Sequence, residues 1–402
     1  MIIQAANKLN NINEYYFSQK LKQIAQMQAE DKHILNLGIG NPDQAPSQQT
    51  IDAFKASAEN IKNHGYQSYV GIPALRKAMS DWYKSAYEVE LNPTTEILPL
   101  LGSKEGISHI SNAFLNPGDK VLVPNPGYPT YSSATYLAGA IPVTYNLDET
   151  NNWAPDFSKI NEDILREAKL IWINYPNMPT GAKGNVEIFK TLIEIANEFK
   201  ILIVNDNPYS LVLNDGKPFS IFQIEGAKEV CLELNSLSKS HNLAGARIGL
   251  VAGAKEYIDT ILKVKSNVDS GMYLPLQHAA IAALNNSDTW HAERNKVYEE
   301  RREYVYQIMD AIDCKYDKNQ TGLFIWAKIP DSYKNAEDLT EYLLFEACVF
   351  ITPGFIFGSN GDRYVRISLC SSVDDLKKAL ALINNIGASA KIIEEYHANR
   401  IK

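Results

Sequence analysis

The 402-residue sequence contains no long apolar run and no block of basic residues. No stretch approaches the 18 or more apolar residues that a membrane helix needs, so we expect no membrane partner. The first residues are polar and do not resemble a secretory signal, which predicts a cytoplasmic protein. Acidic residues outnumber basic ones by 47 to 39, for a net charge of -8, and this balance argues against a nucleic-acid partner.

Cysteine is also scarce. Cys231, Cys314, Cys348 and Cys370 are widely spaced and form no CxxC or other metal-ligand pattern. Disulfides and a metal site are therefore not expected, and buried free thiols are the better interpretation. These absences favour small-molecule chemistry.

Short apolar segments alternate with amphipathic ones between about residues 95 and 255. The apolar runs are VLVP at 121–124, LIWIN at 170–174, ILIVND at 201–206 and VCLELNS at 230–236. Runs of this kind are typical of parallel strands buried on both faces. Residues 186–199 have apolar positions three and four apart, which predicts a helix between two of the strands. The alternation predicts an α/β fold with a largely parallel sheet.

The chain is long enough for two domains. Residues 286–311 are charged and helical in pattern, and they are long enough to connect two lobes. Beyond them we predict strands at 322–329 and 363–370 and a helix at 373–386.

Lys239 lies in the segment SLSKSHNLAGARIG (236–249), directly after a predicted strand. A lysine in a small, hydroxyl-rich turn beside a sheet can be held neutral and nucleophilic, as Schiff-base chemistry requires. A surface lysine is the alternative. Ser236 and Lys239 also form an SxxK pattern, but the SDN and KTG elements that accompany it in serine acyl-enzymes are absent.

Asp206 ends a predicted strand, and Tyr209 follows three residues later. The carboxyl ends of parallel strands face the crevice where α/β proteins bind ligands. An anion there suits the pyridinium nitrogen of pyridoxal phosphate (PLP), and a phenol can reach the ring hydroxyl of that cofactor. The alternative is that Asp206 caps a turn before Pro208.

A phosphate site is predicted where GSKEG (102–106) opens an apolar helical pattern after LPLL. The backbone amides and the Ser103 hydroxyl would lie at a helix N-terminus. Ser236 and Arg247 are further candidate ligands, because a guanidinium suits a phosphate dianion. An ordinary helix cap and solvated side chains are the alternatives.

Five motifs in order resemble the class I/II (fold type I) aminotransferases, across essentially the whole chain. They are GSKEG, NYPNMPTG (174–181), NDNPYS (205–210), SLSKSHNLAGARIG and YVRISL (364–369). The opening YYF (15–17), LNLGIGNPD (35–43) and SNVDSGMYLPLQ (266–277) are similar to the subgroup that contains LL-diaminopimelate and alanine aminotransferases.

The resemblance implies an enzyme that moves an amino group between an L-amino acid and a 2-oxo acid by a ping-pong mechanism, with PLP as cofactor. It implies a large PLP-binding domain, with a mostly parallel sheet sandwiched by helices, and a smaller α+β domain. We assign residues 1–45 to an N-terminal arm that contributes to the small domain, 46–285 to the large domain and 286–402 to the small domain.

The resemblance also implies roles for individual residues. They are Lys239 as the Schiff-base lysine, Asp206 on the ring nitrogen, Tyr209 on the ring hydroxyl, Ser103, Lys104, Ser236 and Arg247 on the phosphate, Tyr128 stacked on the ring, Gly40 in the segment that closes over substrate, and Arg366 on the substrate α-carboxylate. Tyr69 would reach the phosphate site of a neighbouring subunit, which implies a homodimer. From the residues alone, Tyr128 is equally a core-edge tyrosine, Arg366 an outward-facing strand residue and Tyr69 a packed loop residue.

Met178 departs from the family pattern, which places an asparagine directly before Pro-Thr-Gly. That asparagine donates a hydrogen bond to the ring oxygen. Asn174 or Asn177 would supply the missing bond, or Tyr209 would act alone.

Two other functions fit parts of the pattern. Another PLP reaction, such as β-elimination or decarboxylation, uses the same fold. Some transcription regulators carry an aminotransferase-like domain, but the enzyme pattern here takes up all 402 residues. The substrate is not specified; residues 266–283 contain no arginine for a second carboxylate, which favours neutral or aromatic amino donors.

Overall fold

The computed structural model describes residues 3–387 except 13, 15 and 31. The helices in these residues are α1 (Tyr16–Ala29), α2 (Gln48–Glu59), α3 (Pro73–Tyr87), α4 (Ser103–Phe114), α5 (Thr130–Leu137), α6 (Glu162–Glu167), α7 (Val186–Phe199), α8 (Ala227–Val230), α9 (Leu237–Ser240), α10 (Lys255–Lys265), α11 (Leu274–Leu284), α12 (Asp288–Ala311), α13 (Ala336–Glu346) and α14 (Val373–Ile386). The strands are β1 (Leu35–Asn36), β2 (Ile97–Leu100), β3 (Lys120–Asn125), β4 (Ile141–Asn146), β5 (Ala168–Ile173), β6 (Leu202–Asp206), β7 (Cys231–Ser236), β8 (Gly249–Gly253), β9 (Lys315–Tyr316), β10 (Phe324–Lys328), β11 (Val349–Phe350), β12 (Thr352–Pro353) and β13 (Tyr364–Ser368).

A seven-stranded sheet has the order β2-β8-β7-β6-β5-β3-β4. Strand β8 is antiparallel to both its neighbours, β2 and β7, and the other neighbouring pairs are parallel. The mostly parallel sheet predicted from the sequence is therefore confirmed. The apolar runs predicted as strands correspond to β3, β5, β6 and β7.

The sheet is buried on both faces because its strands are apolar at successive positions. Leu170 and Trp172 of β5 pack into a core on one face, whereas Ile171 and Ile173 pack into the core on the other. Helices cover both faces, as the continuous apolar runs predict.

Helix α7 occupies the predicted range, 186–199. The Asn185 side chain caps its start by accepting a hydrogen bond from the Ile188 amide, and Lys200 ends it in a left-handed conformation with φ 62°. Both signals are local, and the predicted helix is confirmed.

A smaller antiparallel sheet, β12-β13-β10-β9, shares a hydrophobic core with α12, α13 and α14. The predicted strands at 322–329 and 363–370 are confirmed as β10 and β13, and the predicted helix is α14. Strand β1 pairs in parallel with β11, which attaches the N-terminal segment to this smaller unit. The domain boundaries themselves remain predictions, and residues 388–402 of the last domain lie outside the described part.

All four cysteines are free thiols; Cys231, Cys314 and Cys370 are buried and Cys348 is partly so. No helix of the described residues has both the length and the apolar composition needed to cross a membrane.

Candidate active site

A cavity of about 520 Å³ lies at the carboxyl ends of β5, β6 and β7, where ligands bind in α/β folds. Eleven of the predicted site residues line it: Gly40, Ser103, Lys104, Tyr128, Asn174, Asp206, Tyr209, Ser236, Lys239, Arg247 and Arg366. The structure thus brings together residues as distant in the chain as Gly40 and Arg366, which are 326 positions apart.

Lys239 is the third residue of α9, a single turn whose start is capped by Ser236 Oγ, which accepts a hydrogen bond from the Ser238 amide at 3.2 Å. Burial lowers the pKa of Lys239; Cys370 opposes this shift, and the cations Arg366 and Arg247 add to it. The Nζ atom donates a hydrogen bond to the Gly40 carbonyl. The environment therefore favours a neutral, nucleophilic amine.

Asp206 ends β6 and is 5% exposed. Its Oδ2 accepts a hydrogen bond from Tyr131 Oη at 2.9 Å, while its Oδ1 is buried and has no hydrogen-bond partner. Burial raises the pKa of Asp206 to about 7, against the lowering effect of Tyr131. A protonated ring nitrogen would supply the partner that Oδ1 lacks, so this carboxyl fits a pyridinium.

Tyr131 was missed by the sequence analysis, although it lies only three residues beyond Tyr128. Its ring stacks on Trp172 with a centroid distance of 5.0 Å and an interplanar angle of 6°. Tyr128 lines the cavity and meets the Tyr131 ring edge-on at 5.6 Å. The spacing of the two tyrosines at the start of α5 was the available signal, but it does not show which ring reaches the carboxylate.

Tyr209 also faces the cavity, and burial raises its pKa while Arg366 opposes the shift. Asn174 lines the cavity too; its Nδ2 donates to the Asp206 carbonyl at 2.5 Å and its Oδ1 accepts from the Met178 amide at 2.7 Å. Asn177, in contrast, uses its Oδ1 for the backbone and side chain of Thr180 and does not line the cavity. Of the two amides considered for the ring oxygen, Asn174 has the better position.

The predicted phosphate ligands meet at the N-terminus of α4. Gly102 has φ 86°, and a Cβ atom there would lie 2.4 Å from Arg247 Nη2, so only glycine leaves room for this guanidinium. Burial lowers the pKa of Lys104, and nearby Arg247 lowers it further. Two cations beside a helix N-terminus fit a phosphate dianion.

Arg366 lies in the middle of β13 and is 4% exposed, so it is not an outward-facing strand residue. Its Nη2 donates to the Gly38 carbonyl at 2.9 Å and its Nη1 to Met178 Sδ at 3.2 Å. The guanidinium carbon lies 3.8 Å from the Phe324 ring centroid and 4.7 Å from that of Phe357. Met178 therefore faces the cavity, in contact with Arg366.

Gly40 approaches Phe324 so closely that a Cβ atom would lie 2.2 Å from the ring. Tyr69 is the exception among the predicted site residues. It is 44% exposed and does not line the cavity of its own chain.

Residues 32–383 match the family model for aminotransferase class I and II. The chain is 40% identical to an LL-diaminopimelate aminotransferase of Dehalococcoides mccartyi, over 96% of this chain and 100% of the relative. It is 39% identical to an LL-diaminopimelate aminotransferase of Aquifex aeolicus, over the same shares. Substrate-bound BacF of Bacillus subtilis superposes with a TM-score of 0.91 at 36% identity, covering 96% of this chain and 98% of that one.

These relatives match the family predicted from the five motifs and the subgroup predicted from the segments at 15–17, 35–43 and 266–277. Two features fit the cofactor that such enzymes use. One is Asp206 Oδ1, which has no hydrogen-bond partner, and the other is the cationic cup that Lys104 and Arg247 form at the N-terminus of α4. The chain belongs to the class I and II aminotransferases, which are PLP-dependent enzymes that transfer amino groups.

Proposed function

We propose that this aminotransferase takes amino donors whose side chains are neutral and largely apolar. The observation that supports this most directly is the lining of the cavity beside Arg366. The Arg366 guanidinium lies near the rings of Phe17, Phe324 and Phe357, at centroid distances of 5.6, 3.8 and 4.7 Å. Two further apolar side chains, Leu21 and Ile39, also line the cavity. An amino acid with its α-carboxylate on Arg366 would place its side chain against these residues.

The basic side chains of the cavity support the same class of donor. Within the described residues, those lining it are Lys104, Lys239, Arg247 and Arg366. In our assignment Lys104 and Arg247 bind the cofactor phosphate, Lys239 binds the cofactor and Arg366 binds the α-carboxylate. None of these four basic side chains then remains for a second carboxylate, such as the distal one of LL-diaminopimelate, and burying an unpaired carboxylate is costly.

When bound, the cofactor would accept the electrons of the breaking C–H bond into its ring system. The other steps fall to side chains of this chain. Asp206 Oδ1 would hold a proton on the ring nitrogen, and Tyr209 Oη would donate to the ring oxygen. Arg366 fixes the α-carboxylate and so orients the C–H bond, and Lys239 Nζ moves the released proton.

A donor panel tests the substrate class. With the PLP-loaded enzyme, kcat/KM for leucine, methionine and phenylalanine should exceed that for glutamate, aspartate and LL-diaminopimelate by about tenfold or more, since an unpaired buried charge costs over ~1.4 kcal/mol. Neutral oxo-acids should be the better acceptors, because both half-reactions use one site. A tenfold preference for LL-diaminopimelate would overturn the proposal.

Leu21 offers a matched pair of variants for the same assay. Leu21→Arg adds a cation to the apolar lining of the cavity and should raise kcat/KM for dicarboxylate donors relative to neutral ones. Leu21→Met keeps an apolar side chain and should leave the order of donors unchanged.

We also propose that the enzyme is a homodimer. Ile61 and Tyr66, which precede Tyr69 in the chain, are 85% and 93% exposed, and Val268 is 68% exposed. The segments that carry them are adjacent, because a Cβ atom on Gly271 would lie 2.6 Å from the Gln67 carbonyl. Exposed apolar side chains that cluster in this way are typical of subunit interfaces. In the proposed dimer this face is covered and Tyr69 reaches the partner's phosphate site.

A further inference from the structure

Helix α12 carries two buried arginines on one face. Arg294 is 3% exposed and Arg301 is 6% exposed, and they lie seven positions apart, which corresponds to about two helical turns. Tyr298, which is fully buried, lies between them on the same face. The helix is otherwise rich in exposed charged residues. A guanidinium is costly to bury unless its donors are satisfied, so the partners of these two residues indicate what the helix holds in place.

Arg294 binds two backbone carbonyls, those of Ser240 and Leu211. Ser240 is the last residue of α9 and directly follows Lys239. Leu211 lies two residues after Tyr209. One guanidinium therefore bridges the turn that carries Lys239 and the turn that carries Tyr209.

Asn295 reinforces the second of these turns. Its Nδ2 donates to the Leu211 carbonyl at 3.3 Å, and its Oδ1 accepts from the Leu213 amide at 3.4 Å and from Arg294 Nη2 at 2.9 Å. Leu213 has φ 46°, a conformation that is strained for leucine and needs such support.

Arg301 holds a different pair of segments. It forms a bidentate ion pair with Asp43, at 2.7 and 2.8 Å, and its Nη1 donates to the Leu369 carbonyl at 3.1 Å. Asp43 follows Gly40 by three residues, and Leu369 directly follows the strand of Arg366. This guanidinium therefore joins the two segments assigned to substrate binding.

We propose that Arg294 and Arg301 are positioning residues that act on separate halves of the site. Arg294 sets the placement of Lys239 and Tyr209 around the cofactor, and Arg301 sets the placement of Gly40 and Arg366 around the substrate. The inference rests on the roles proposed above for those four residues. This division of roles explains why one helix buries two arginines. The partners of Arg294 are mainly backbone carbonyls, and those of Arg301 are one backbone carbonyl and the half-exposed carboxylate of Asp43.

Arg294→Met and Arg301→Met test the division, because methionine keeps much of the apolar stem and removes the fork of donors. Lys296→Met is the control, since Lys296 is exposed on the same helix. Three quantities are measured on the PLP-loaded proteins: the pH midpoint of the visible absorbance of bound PLP, and the KM and kcat for the best amino donor.

Arg294→Met should move the pH midpoint by about 0.5–1 unit and lower kcat by about 10- to 100-fold, with a smaller change in KM. Arg301→Met should raise KM by about tenfold and leave the midpoint within ~0.2 unit of wild type. If Arg294→Met does not fold, Arg294→Lys keeps the charge and one donor contact, and should show the same midpoint shift to a smaller extent.

Equal effects of both arginine variants on the pH midpoint, KM and kcat would overturn the inference. So would lower melting temperatures with none of these three quantities changed, which would leave a purely structural role. Failure of the underlying assignment gives a different result. In that case Lys239→Ala would keep turning over, or Arg366→Lys would keep wild-type KM, whatever the α12 variants do.

Discussion

Asp206 combines deep burial with a task that needs a negative charge. Its pKa of about 7 in the folded protein lies above the ordinary ~3.9 of aspartate because burial disfavours the carboxylate. Between about pH 4 and pH 7, the folded, cofactor-free protein therefore keeps a proton on Asp206 that the unfolded chain has released. The stability contributed by this group is greatest below about pH 4 and is lost as the pH rises through about 7.

Asp206→Asn should remove this pH dependence. The variant and the wild type differ in the free energy of unfolding of the cofactor-free protein, and this difference should shift in favour of the variant by about 2 kcal/mol from pH 5 to pH 8. The kcat of the PLP-loaded variant should be lower than that of wild type by at least ~100-fold. Urea unfolding at the two pH values measures the first effect. The exposed Asp331 provides the control variant, Asp331→Asn, which should follow wild type. A constant stability difference across this range would show that Asp206 is ionised in the cofactor-free protein.

Single residues were predictable from the sequence where a motif fixes them to the end of a strand. Asp206 ends one buried strand and Lys239 follows another, and the carboxyl ends of such strands meet at one edge of the sheet. The hydrogen bond from Tyr131 to Asp206 and the contact between Met178 and Arg366 were not predictable. Each depends on how elements distant in sequence pack, and no periodicity encodes that.

At the scale of one element, the turn between β2 and α4 shows how Gly102 leaves room for the Arg247 guanidinium of the cationic cup. Gly102→Ala would place a methyl group 2.4 Å from Arg247 Nη2, so the guanidinium must leave its position. Affinity for PLP should fall by about tenfold or more, because a charge-assisted hydrogen bond contributes about 1.5–3 kcal/mol. Equilibrium titration of the cofactor-free protein with PLP measures this loss.

Gly118→Ala is a matched control. Gly118 has a similar φ of 92°, but a Cβ atom there would meet nothing within 4 Å. Both variants should lose stability through backbone strain, by about 1 kcal/mol, while only Gly102→Ala loses PLP affinity. Equal PLP affinities in the two variants would remove Arg247 from the phosphate site.

Elements with local signals were predicted closely. Helix α7 has an apolar stripe and an asparagine cap, and both its ends were identified. The direction of β8 was not predicted, since pairing direction depends on where the chain goes after the Lys239 turn. The chain returns at once alongside β7, which makes β8 antiparallel in a sheet of otherwise parallel strands.

At the scale of the whole molecule, the question is whether one chain forms a complete site, and this depends on which subunit's phosphate site Tyr69 reaches. If it reaches the partner's phosphate site, a heterodimer of Lys239→Ala and Tyr69→Phe subunits contains one site with both defects and one with neither. Co-refolded mixtures should then be more active than the sum of the parents, provided that Tyr69→Phe is itself impaired. Subunit exchange is verified by mass.

Tyr66→Phe in place of Tyr69→Phe gives the control, since Tyr66 is 93% exposed and has no assigned role in the site. That parent should be active by itself, and mixing should add nothing. An absence of gain for the Tyr69 mixture, despite proven exchange, would place Tyr69 in its own subunit.

The central assignment is that Lys239 holds the cofactor and moves the substrate proton. Borohydride reduction of the PLP-loaded wild-type protein, followed by mass analysis of peptides, tests it most directly. PLP should be found on the peptide that contains Lys239, and Lys239→Ala should lose both that adduct and multiple turnover, with kcat lower by about 10⁴-fold. An adduct on another lysine, or near wild-type turnover by Lys239→Ala, would contradict the assignment.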